Sequence, residues 1–264
     1  MNNKIKLHNP TLRVLDIFEA IYSSIDGLTL AEISRCTSIA KGTLHPIVMT
    51  LLHEGFLQNF GSRITIGKSC FKLGYSYVHS LNYLDILKPH LREIMVACNE
   101  ICQLGILDGG NVLYVDKSEP NQAIRIESSA GKTIAAYATA LGKCLLSGLS
   151  NDEIVELYPN KFIKYTERTT TDLKTLLQQI EVVRSNGYAY ETGETNIEIT
   201  CLAVPIKISD KVLASISVSL PIFRSTPEKI GQILDVLKLN AKLIEKEIAM
   251  LPMETKLFLT ETKF

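Results

Sequence analysis

The order of local patterns in the first 66 residues limits the possible folds more than any other feature of the chain. A helix is predicted from Pro10, with Asn9 as its cap, because the fixed φ of proline suits a first helical position. Thr29 followed three residues later by Glu32 is a capping box, which predicts a short second helix. After a polar turn, apolar side chains at helical spacing predict a third helix over residues 40–53.

A hairpin is predicted directly after the third helix. Gly61-Ser62 suits a two-residue turn with a positive φ at its first residue, between strands over residues 56–60 and 63–66. Helix, short helix, tight turn, helix and hairpin is the order of a winged helix-turn-helix, which is the fold predicted for residues 1–67.

The third helix is the predicted nucleic-acid contact. Its apolar stripe is expected to pack on the first two helices, which leaves the opposite face to enter a major groove. Arginines elsewhere in the segment are expected to add phosphate contacts. The residues predicted to contact double-stranded DNA are Lys41, Thr43, His45, Arg63, Arg13 and Arg35.

The charge distribution agrees with a DNA-contacting segment. The net charge of the whole chain is zero, but residues 1–80 hold eight Lys/Arg against five Asp/Glu, a balance of +3. The alternative is that the winged helix serves dimerisation or protein contact in a metabolite-binding protein, since winged helices also have that use.

The rest of the chain predicts an α+β domain. Strands are predicted over residues 103–107, 112–117, 188–192, 201–208 and 212–220, with a further alternating segment at Ile124 and Ile126. Helices are predicted over residues 68–82, from Asn82, over 139–148, from the capping box Ser150/Glu153, over 173–183 and from Thr226. The last two strands form a hairpin, which indicates an antiparallel sheet with flanking helices. The predicted divisions are a linker helix at 68–82, an effector domain at 83–251 and a tail at 252–264.

Composition excludes several classes of protein. The chain is 46% hydrophobic and 21% charged, as in globular proteins with a sizeable core. No apolar run approaches the roughly 18 residues of a membrane span, and the polar N-terminus does not resemble a secretory signal, so the cytoplasm is the expected location. Six scattered cysteines are expected to be reduced. Cys98 and Cys102 are expected to share a helix face, but no close histidine accompanies them, so no metal site is predicted.

The larger domain lacks the common catalytic patterns. No histidine follows His90, which excludes a Ser-His or Cys-His pair within that domain. Gly131-Lys132-Thr133 resembles the end of a phosphate loop, but Ile126 stands where that loop needs glycine. The run Glu191, Glu194 and Glu198 contains possible acid/base groups, and it is interpreted as a solvated loop. The chain is therefore predicted not to be an enzyme, and no cofactor is predicted.

Several separated motifs, in the same order, resemble the IclR family of transcription regulators from about residue 11 to residue 250. Residues 28–33 followed by 41–45 are similar to that family's helix-turn-helix. Residues 138–143 (ATALGK), 186–189 (NGYA), 201–206 (CLAVPI) and 217–221 (SVSLP) are similar to motifs of its larger domain.

The resemblance implies a GAF-like effector domain, a dimer joined through the N-terminal domains that often pairs into a tetramer, and a small effector such as an organic acid or aromatic catabolite. It places the effector between the sheet and the loop before the "GK" helix. The implied effector-binding residues are Ile126, Ile134, Ala140, Leu141, Glu191, Ile199, Cys201, Ser217 and Ser219.

These residue types suit such a site. Ala140 and Leu141 at a helix start offer backbone N–H groups to a carboxylate. Ser217 and Ser219 alternate onto one strand face, where their hydroxyls can donate hydrogen bonds. The isoleucines supply apolar walls, although they are equally compatible with an ordinary core.

The chain departs from the family pattern at three positions. Pro46 stands where the family usually has arginine, inside the recognition helix, and proline removes a backbone donor and tends to kink a helix. The acidic pocket residue is Glu191, one methylene longer than aspartate, and Tyr137 replaces a histidine of the family motif. Operator preference and pocket size are therefore expected to differ.

Overall fold

The structure is a computed structural model and describes residues 6–24, 26–80, 84–121, 130–159 and 162–251. The chain divides into two compact units, residues 1–81 and residues 82–264. The expected strand at Ile124 and Ile126 and the expected tail from residue 252 lie outside the described residues. Within the described residues, no helix combines the length and the apolar character needed to cross a bilayer.

The N-terminal unit has the order predicted for a winged helix-turn-helix. Its elements are α1 (Asn9–Tyr22), α2 (Leu30–Thr37), α3 (Lys41–His53), β1 (Leu57–Phe60), β2 (Arg63–Ile66) and α4 (Lys68–Ser80). The strands β1 and β2 pair antiparallel, and Gly61 takes the expected positive φ, at 62°, in their turn. Ile17, Ile33, Leu44 and Val48 bring the three helices together in one apolar core.

The helix ends follow local hydrogen bonding. The predicted capping box is present, because the Glu32 amide donates to the Thr29 hydroxyl and the Thr29 amide donates to the Glu32 carboxylate at 2.8 Å. The cap predicted for α1 is wrong: His8 occupies that position without a side-chain hydrogen bond to the helix backbone, and Asn9 is already helical. Ser38 closes α2 with a left-handed φ of 56°, which turns the chain toward α3.

Pro46 does not end α3. The helix continues from Lys41 to His53 with the proline inside it. Proline lacks the N–H that would bond to the carbonyl of Gly42, and the helix retains its other bonds on both sides. The Thr50 hydroxyl donates to the Pro46 carbonyl at 2.8 Å on the exposed face.

The C-terminal unit is built on one six-stranded antiparallel sheet in the order β5-β4-β3-β8-β7-β6, which confirms the α+β prediction. The strands are β3 (Ile101–Asp108), β4 (Asn111–Ser118), β5 (Thr133–Ala135), β6 (Ala189–Thr192), β7 (Ile199–Ile208) and β8 (Lys211–Pro221). The helices are α5 (Leu84–Cys98), α6 (Ala140–Leu146), α7 (Asn151–Leu157), α8 (Leu173–Asn186) and α9 (Pro227–Ala249). Helices α5 and α9 pack together on one face of the sheet, and α6 packs on the other with α8 behind it.

Three expectations for this unit need correction. Cys102 lies in β3 and not on a helix with Cys98, because Asn99 takes a φ of 50° and ends α5. The helix predicted over residues 139–148 is shorter, since Thr139 is the N-cap of α6 and the helix ends after Leu146. The short edge strand β5 has too few residues to show an alternating pattern and was not predicted. The second capping box, Ser150 with Glu153, is present at the start of α7.

Gly142 allows α6 to approach the preceding 3-10 turn, residues 136–138. A β-carbon at this position would lie 2.1 Å from the carbonyl oxygen of Ala136. Two backbones therefore meet at a distance that only glycine permits, which explains why the "GK" motif contains this residue.

Gly142→Ala is therefore expected to lower the free energy of unfolding by at least about 1–3 kcal/mol, because backbone must move to admit the methyl group. The measurement is urea unfolding of the full chain. Gly231→Ala is the control: Gly231 lies on the exposed side of α9 and its β-carbon would meet no atom within 4 Å, so the substitution should be neutral or slightly stabilising. Equal stability of Gly142→Ala and the parent would contradict the steric argument.

Candidate functional site

A cavity of about 210 Å³ lies between the sheet of the C-terminal unit and the start of α6. Residues from all six strands, from the start of α6 and from the segment after β6 converge on it. Its lining residues are Gln103, Tyr114, Ile134, Thr139, Ala140, Leu141, Glu191, Thr195, Asn196, Ile199, Cys201, Ser217 and Ser219. Its volume corresponds to about seven water molecules at their liquid volume, which suits a small metabolite.

The sheet register explains why distant residues meet here. Glu191 lies opposite Cys201, and Cys201 lies opposite Ser219, so three neighbouring strands place these residues in one row. Gln103 and Ser217 form part of the next row on the same face. Directly opposed residues of antiparallel strands share a face, and these rows face α6.

The structure brings together every described residue that the sequence assigned to effector binding. These residues are Ile134, Ala140, Leu141, Glu191, Ile199, Cys201, Ser217 and Ser219. Ile126 lies outside the described residues. Sequence reasoning missed Gln103, Tyr114, Thr139, Thr195 and Asn196. The polar residues Gln103 and Tyr114 inside otherwise apolar strands were the available signal for two of them.

The polar groups on the sheet side of the cavity bond to one another. The hydroxyls of Ser219 and Ser217 donate to the Gln103 carbonyl oxygen Oε1 at 3.0 and 3.4 Å. The Cys201 Sγ atom lies 3.1 Å from the Ser219 Oγ atom. The network fixes the serine side chains at the cavity wall.

The start of α6 forms the opposite wall. Thr139 caps the helix by accepting a hydrogen bond from the Gly142 amide at 2.9 Å. The first amides of a helix have no carbonyl partner within it, so Ala140 and Leu141 bring donors to the cavity wall.

Glu191 is the acidic group of the cavity. Burial raises the pKa of Glu191 from 4.5 to about 7. A hydrogen bond from the Glu194 amide at 3.0 Å and a hydrogen bond with Cys201 act in the opposite direction and lower this pKa. The nearby Glu194 charge raises this pKa further, and Lys143 lowers it. Near neutral pH the Glu191 carboxyl group is therefore divided between its neutral and ionised forms.

The glutamate run is not the solvated loop that was predicted. Glu191 and Glu194 are buried, and only Glu198 is exposed. Lys143 of α6 forms an ion pair with Glu194, and the Thr170 amide donates to the second Glu194 oxygen at 3.3 Å. A buried cation and a backbone donor compensate the desolvated carboxylate, which the local sequence did not reveal.

The residues predicted to contact DNA lie on several elements of the N-terminal unit. Lys41 and His45 are exposed on α3, and Thr43 is partly buried there. Arg13 on α1 and Arg35 on α2 are exposed. Their contacts with DNA stay predictions.

Arg63 is held by its own unit rather than standing free at the hairpin. Its Nη1 atom donates to the Gly27 carbonyl at 2.7 Å and lies 3.6 Å from the Glu32 carboxylate. A phosphate contact through the remaining guanidinium N–H groups stays a prediction.

In the part of the chain that the structure covers, no group of three or more His, Cys, Asp or Glu residues is arranged to hold a metal ion.

Two family models match the chain. The model described as the IclR helix-turn-helix domain matches residues 11–59. The model described as bacterial transcriptional regulator IclR C-terminal matches residues 75–246.

Relatives of known name cover most of the chain. The HTH-type transcriptional regulator BhcR of Paracoccus denitrificans is 29% identical over 227 residues, which are 84% of this chain and 81% of the relative. The transcriptional repressor IclR of Escherichia coli is 27% identical over 226 residues, which are 83% of this chain and 82% of the relative. Both are regulators of transcription and not enzymes, which agrees with the prediction that this chain is not an enzyme.

Solved structures share the fold. The IclR protein of Thermotoga maritima aligns with a TM-score of 0.69 at 28% identity, over 91% of this chain and 99% of the other. An IclR homolog from Microbacterium hydrocarbonoxydans, solved in complex with 4-hydroxybenzoate, aligns with a TM-score of 0.77 at 20% identity, over 91% and 99%. At 20% identity the likeness concerns the fold alone.

Glu191→Gln is expected to change how stability depends on pH. The unfolded carboxyl ionises near pH 4.5 but the folded one only near pH 7, so the free energy of unfolding falls as pH rises between these values. The full cost, at most about 3 kcal/mol, applies above pH 7. The variant should therefore gain stability relative to the parent from pH 5 to pH 8 in urea unfolding.

Glu198→Gln is the matched control, because it removes an exposed carboxylate from the same segment. Its stability difference from the parent should stay nearly constant over this pH range. A constant difference for Glu191→Gln as well would show that burial does not perturb the Glu191 carboxyl group.

Proposed function

The chain belongs to the IclR family of transcription regulators, and we propose that it binds operator DNA through residues 1–67 and a small organic acid through residues 83–251. Binding of the acid is proposed to shift the population of DNA-competent molecules in the cytoplasm. The observation that carries the proposal is the convergence of residues from separate motifs on one small cavity with polar groups in its wall.

The DNA half of the proposal is supported by the surface of α3. Leu44 and Val48 are buried in the core, which leaves Lys41, His45 and Pro46 on the exposed side of the helix. A helix presented in this way fits the width of a major groove. Arg13 and Arg35 supply further cations for phosphates.

The effector half is supported by the chemistry of the cavity wall. The Ala140 and Leu141 amides are suitable donors to a carboxylate, and the hydroxyls of Ser217 and Ser219 can donate to it once the ligand displaces their hydrogen bonds to Gln103. Ile134 and Ile199 provide apolar surface for the rest of the ligand. The Microbacterium hydrocarbonoxydans homolog, solved with 4-hydroxybenzoate, makes aromatic acids reasonable probes for this chain.

A dimer through the N-terminal unit is part of the proposal, and a tetramer is its possible extension. Phe71 and Leu73 of α4 are strongly exposed, as is Leu15 of α1. Large apolar side chains on the surface of one small unit mark a protein contact. A twofold pair of recognition helices reads two half-sites one DNA turn apart.

The second candidate is a metabolite-binding protein whose winged helix contacts protein instead of DNA. Two features favour it: Pro46 stands where the family resemblance implies an arginine, and Met49 is half exposed on the same helix. A gel shift with the DNA upstream of the protein's own coding region, over a salt series, separates the candidates. Sequence-specific binding with a clear salt slope supports the regulator, and no binding at low salt supports the protein-contact module.

Lys41→Ala and Arg35→Ala are each expected to weaken operator binding. Each loss of a phosphate contact should reduce the slope of log K against log salt by about 1. Lys174→Ala, which removes an exposed cation from α8, is the control and should leave both the affinity and the slope unchanged. Unchanged slopes for Lys41→Ala and Arg35→Ala would remove these residues from the interface.

Phe71→Asp is expected to convert the dimer to monomers at micromolar concentration, because it places a charge at the proposed contact. Sedimentation velocity measures the change. Phe223→Asp is the control, because Phe223 is matched in exposure, at 73% against 74% for Phe71, and belongs to the C-terminal unit. Phe71→Asp that sediments like the parent would exclude α4 as the dimer contact.

A further inference from the structure

Tyr114 is a buried tyrosine without a hydrogen-bond partner for its hydroxyl among the residues that the structure describes. It is 7% exposed and lines the cavity. Two other tyrosines of this unit are paired: the Tyr158 hydroxyl donates to the Gly110 carbonyl at 2.6 Å, and the Tyr137 hydroxyl donates to the Ile163 carbonyl at 3.0 Å. Because buried tyrosine hydroxyls usually have a partner, the Tyr114 hydroxyl is a donor available to a ligand.

A β-bulge places this hydroxyl on the cavity side. Gln103 pairs with Lys117, but Gly105 pairs with Tyr114, so β4 contains one extra residue between these pairs. The extra residue reverses the alternation of β4, and Tyr114 comes to share a face with Gln103. The Tyr114 side chain therefore lines the same cavity as the polar residues of β3, β7 and β8.

Glu191 supplies the complementary acceptor in the same cavity. Its Oε2 atom accepts the Glu194 amide, and the carboxyl group still has acceptor capacity toward the cavity. Burial, followed by the nearby Cys201 and Glu191, raises the pKa of Tyr114, so its hydroxyl keeps its proton at neutral pH. A tyrosinate beside an ionised Glu191 is disfavoured by charge repulsion, so the Tyr114 hydroxyl is a neutral donor there.

A hydroxyl group suits both side chains with one atom, because it accepts from Tyr114 and donates to the ionised form of Glu191. A carbonyl oxygen accepts from Tyr114 but has no proton for the ionised Glu191, and an ammonium group donates to Glu191 but accepts nothing. The small cavity keeps a bound molecule close to both side chains.

We propose that Tyr114 and Glu191 recognise a hydroxyl group of the effector, so that the ligand class is a small hydroxy monocarboxylic acid. This inference rests on the proposed function, because it assumes that the cavity is the effector site. The carboxylate lies at the Ala140 and Leu141 amides and the serines, and the hydroxyl lies between Tyr114 and Glu191. Tyr114 is then a specificity-determining residue.

The test uses matched pairs of acids that differ by one hydroxyl: 4-hydroxybenzoate with benzoate, and lactate with propionate. Isothermal titration of the full chain measures both members of each pair. In at least one pair the hydroxy acid should bind about tenfold more tightly than its partner, as expected for one additional buried hydrogen bond. Tyr114→Phe should reduce that ratio to about threefold or less.

Tyr158→Phe is the control, because it removes a tyrosine hydroxyl from the same unit but outside the cavity, and it should keep the ratio of the parent. Thermal unfolding without ligand adds a second readout. Tyr158→Phe should lower the unfolding temperature, since it breaks the bond to Gly110, and Tyr114→Phe should not. A drop for Tyr114→Phe as large as that for Tyr158→Phe would show a structural partner for Tyr114 and overturn the proposal.

The proposal is also overturned if hydroxy and deoxy acids bind equally, or if Tyr114→Phe preserves the ratio. Either result leaves the regulator function standing, because operator binding is measured separately by gel shift. Failure of the parent protein to bind operator DNA would instead overturn the proposed function.

Discussion

The cavity depends on a buried ion pair between Lys143 and Glu194. The two side chains are 3% and 9% exposed, and they join α6 to the segment that follows β6. Removing one partner of such a pair leaves an uncompensated buried charge, which typically costs about 3–5 kcal/mol. The ion pair therefore holds α6 and the segment after β6, which form two walls of the cavity, in one arrangement.

That arrangement extends to the groups that face the cavity. The Glu194 amide bonds to Glu191, and the Glu194 carbonyl accepts the Thr169 hydroxyl at 2.6 Å. The next two residues, Thr195 and Asn196, belong to the cavity lining. A ligand that displaces this segment therefore acts on an ion pair and on α6 together, which provides a physical route for a bound molecule to alter the C-terminal unit.

A self-contained polar network and a ligand site predict different patterns of hydrogen bonding. Gln103, Ser217 and Ser219 satisfy one another, so these three residues alone are compatible with an ordinary polar core. Tyr114 and Glu191 differ from them. A partner for the Tyr114 hydroxyl is lacking within the described part of the chain, and ionisation of Glu191 is opposed by burial. The distinction between core and site therefore depends on these two residues.

Of the cationic side chains in the N-terminal unit, one stabilises the fold and others are exposed and available to contact DNA. Arg63 binds the Gly27 carbonyl and approaches Glu32, the acidic member of the α2 capping box, so it links the hairpin to the second helix. Lys41 and Arg35 carry no such role among the described contacts. Pro46 is exposed and α3 continues through it. It therefore changes the chemistry of the predicted DNA face but not its helical shape.

The sequence by itself determined the elements whose signals are local. The two capping boxes, the Gly61-Ser62 turn and the apolar periods of the long helices were predictable because each depends on residues within one or two turns of chain. The motif order also indicated most of the cavity residues, through the family resemblance. Only the tertiary structure decided three features. These are the burial of Glu191 and Glu194, the hydrogen bond from Arg63 to the Gly27 carbonyl, and the position of Tyr114 on the cavity side of the sheet. Each of these depends on a partner distant in sequence or on a one-residue bulge, and neither a long-range partner nor a shift in strand register leaves a periodic pattern to be read.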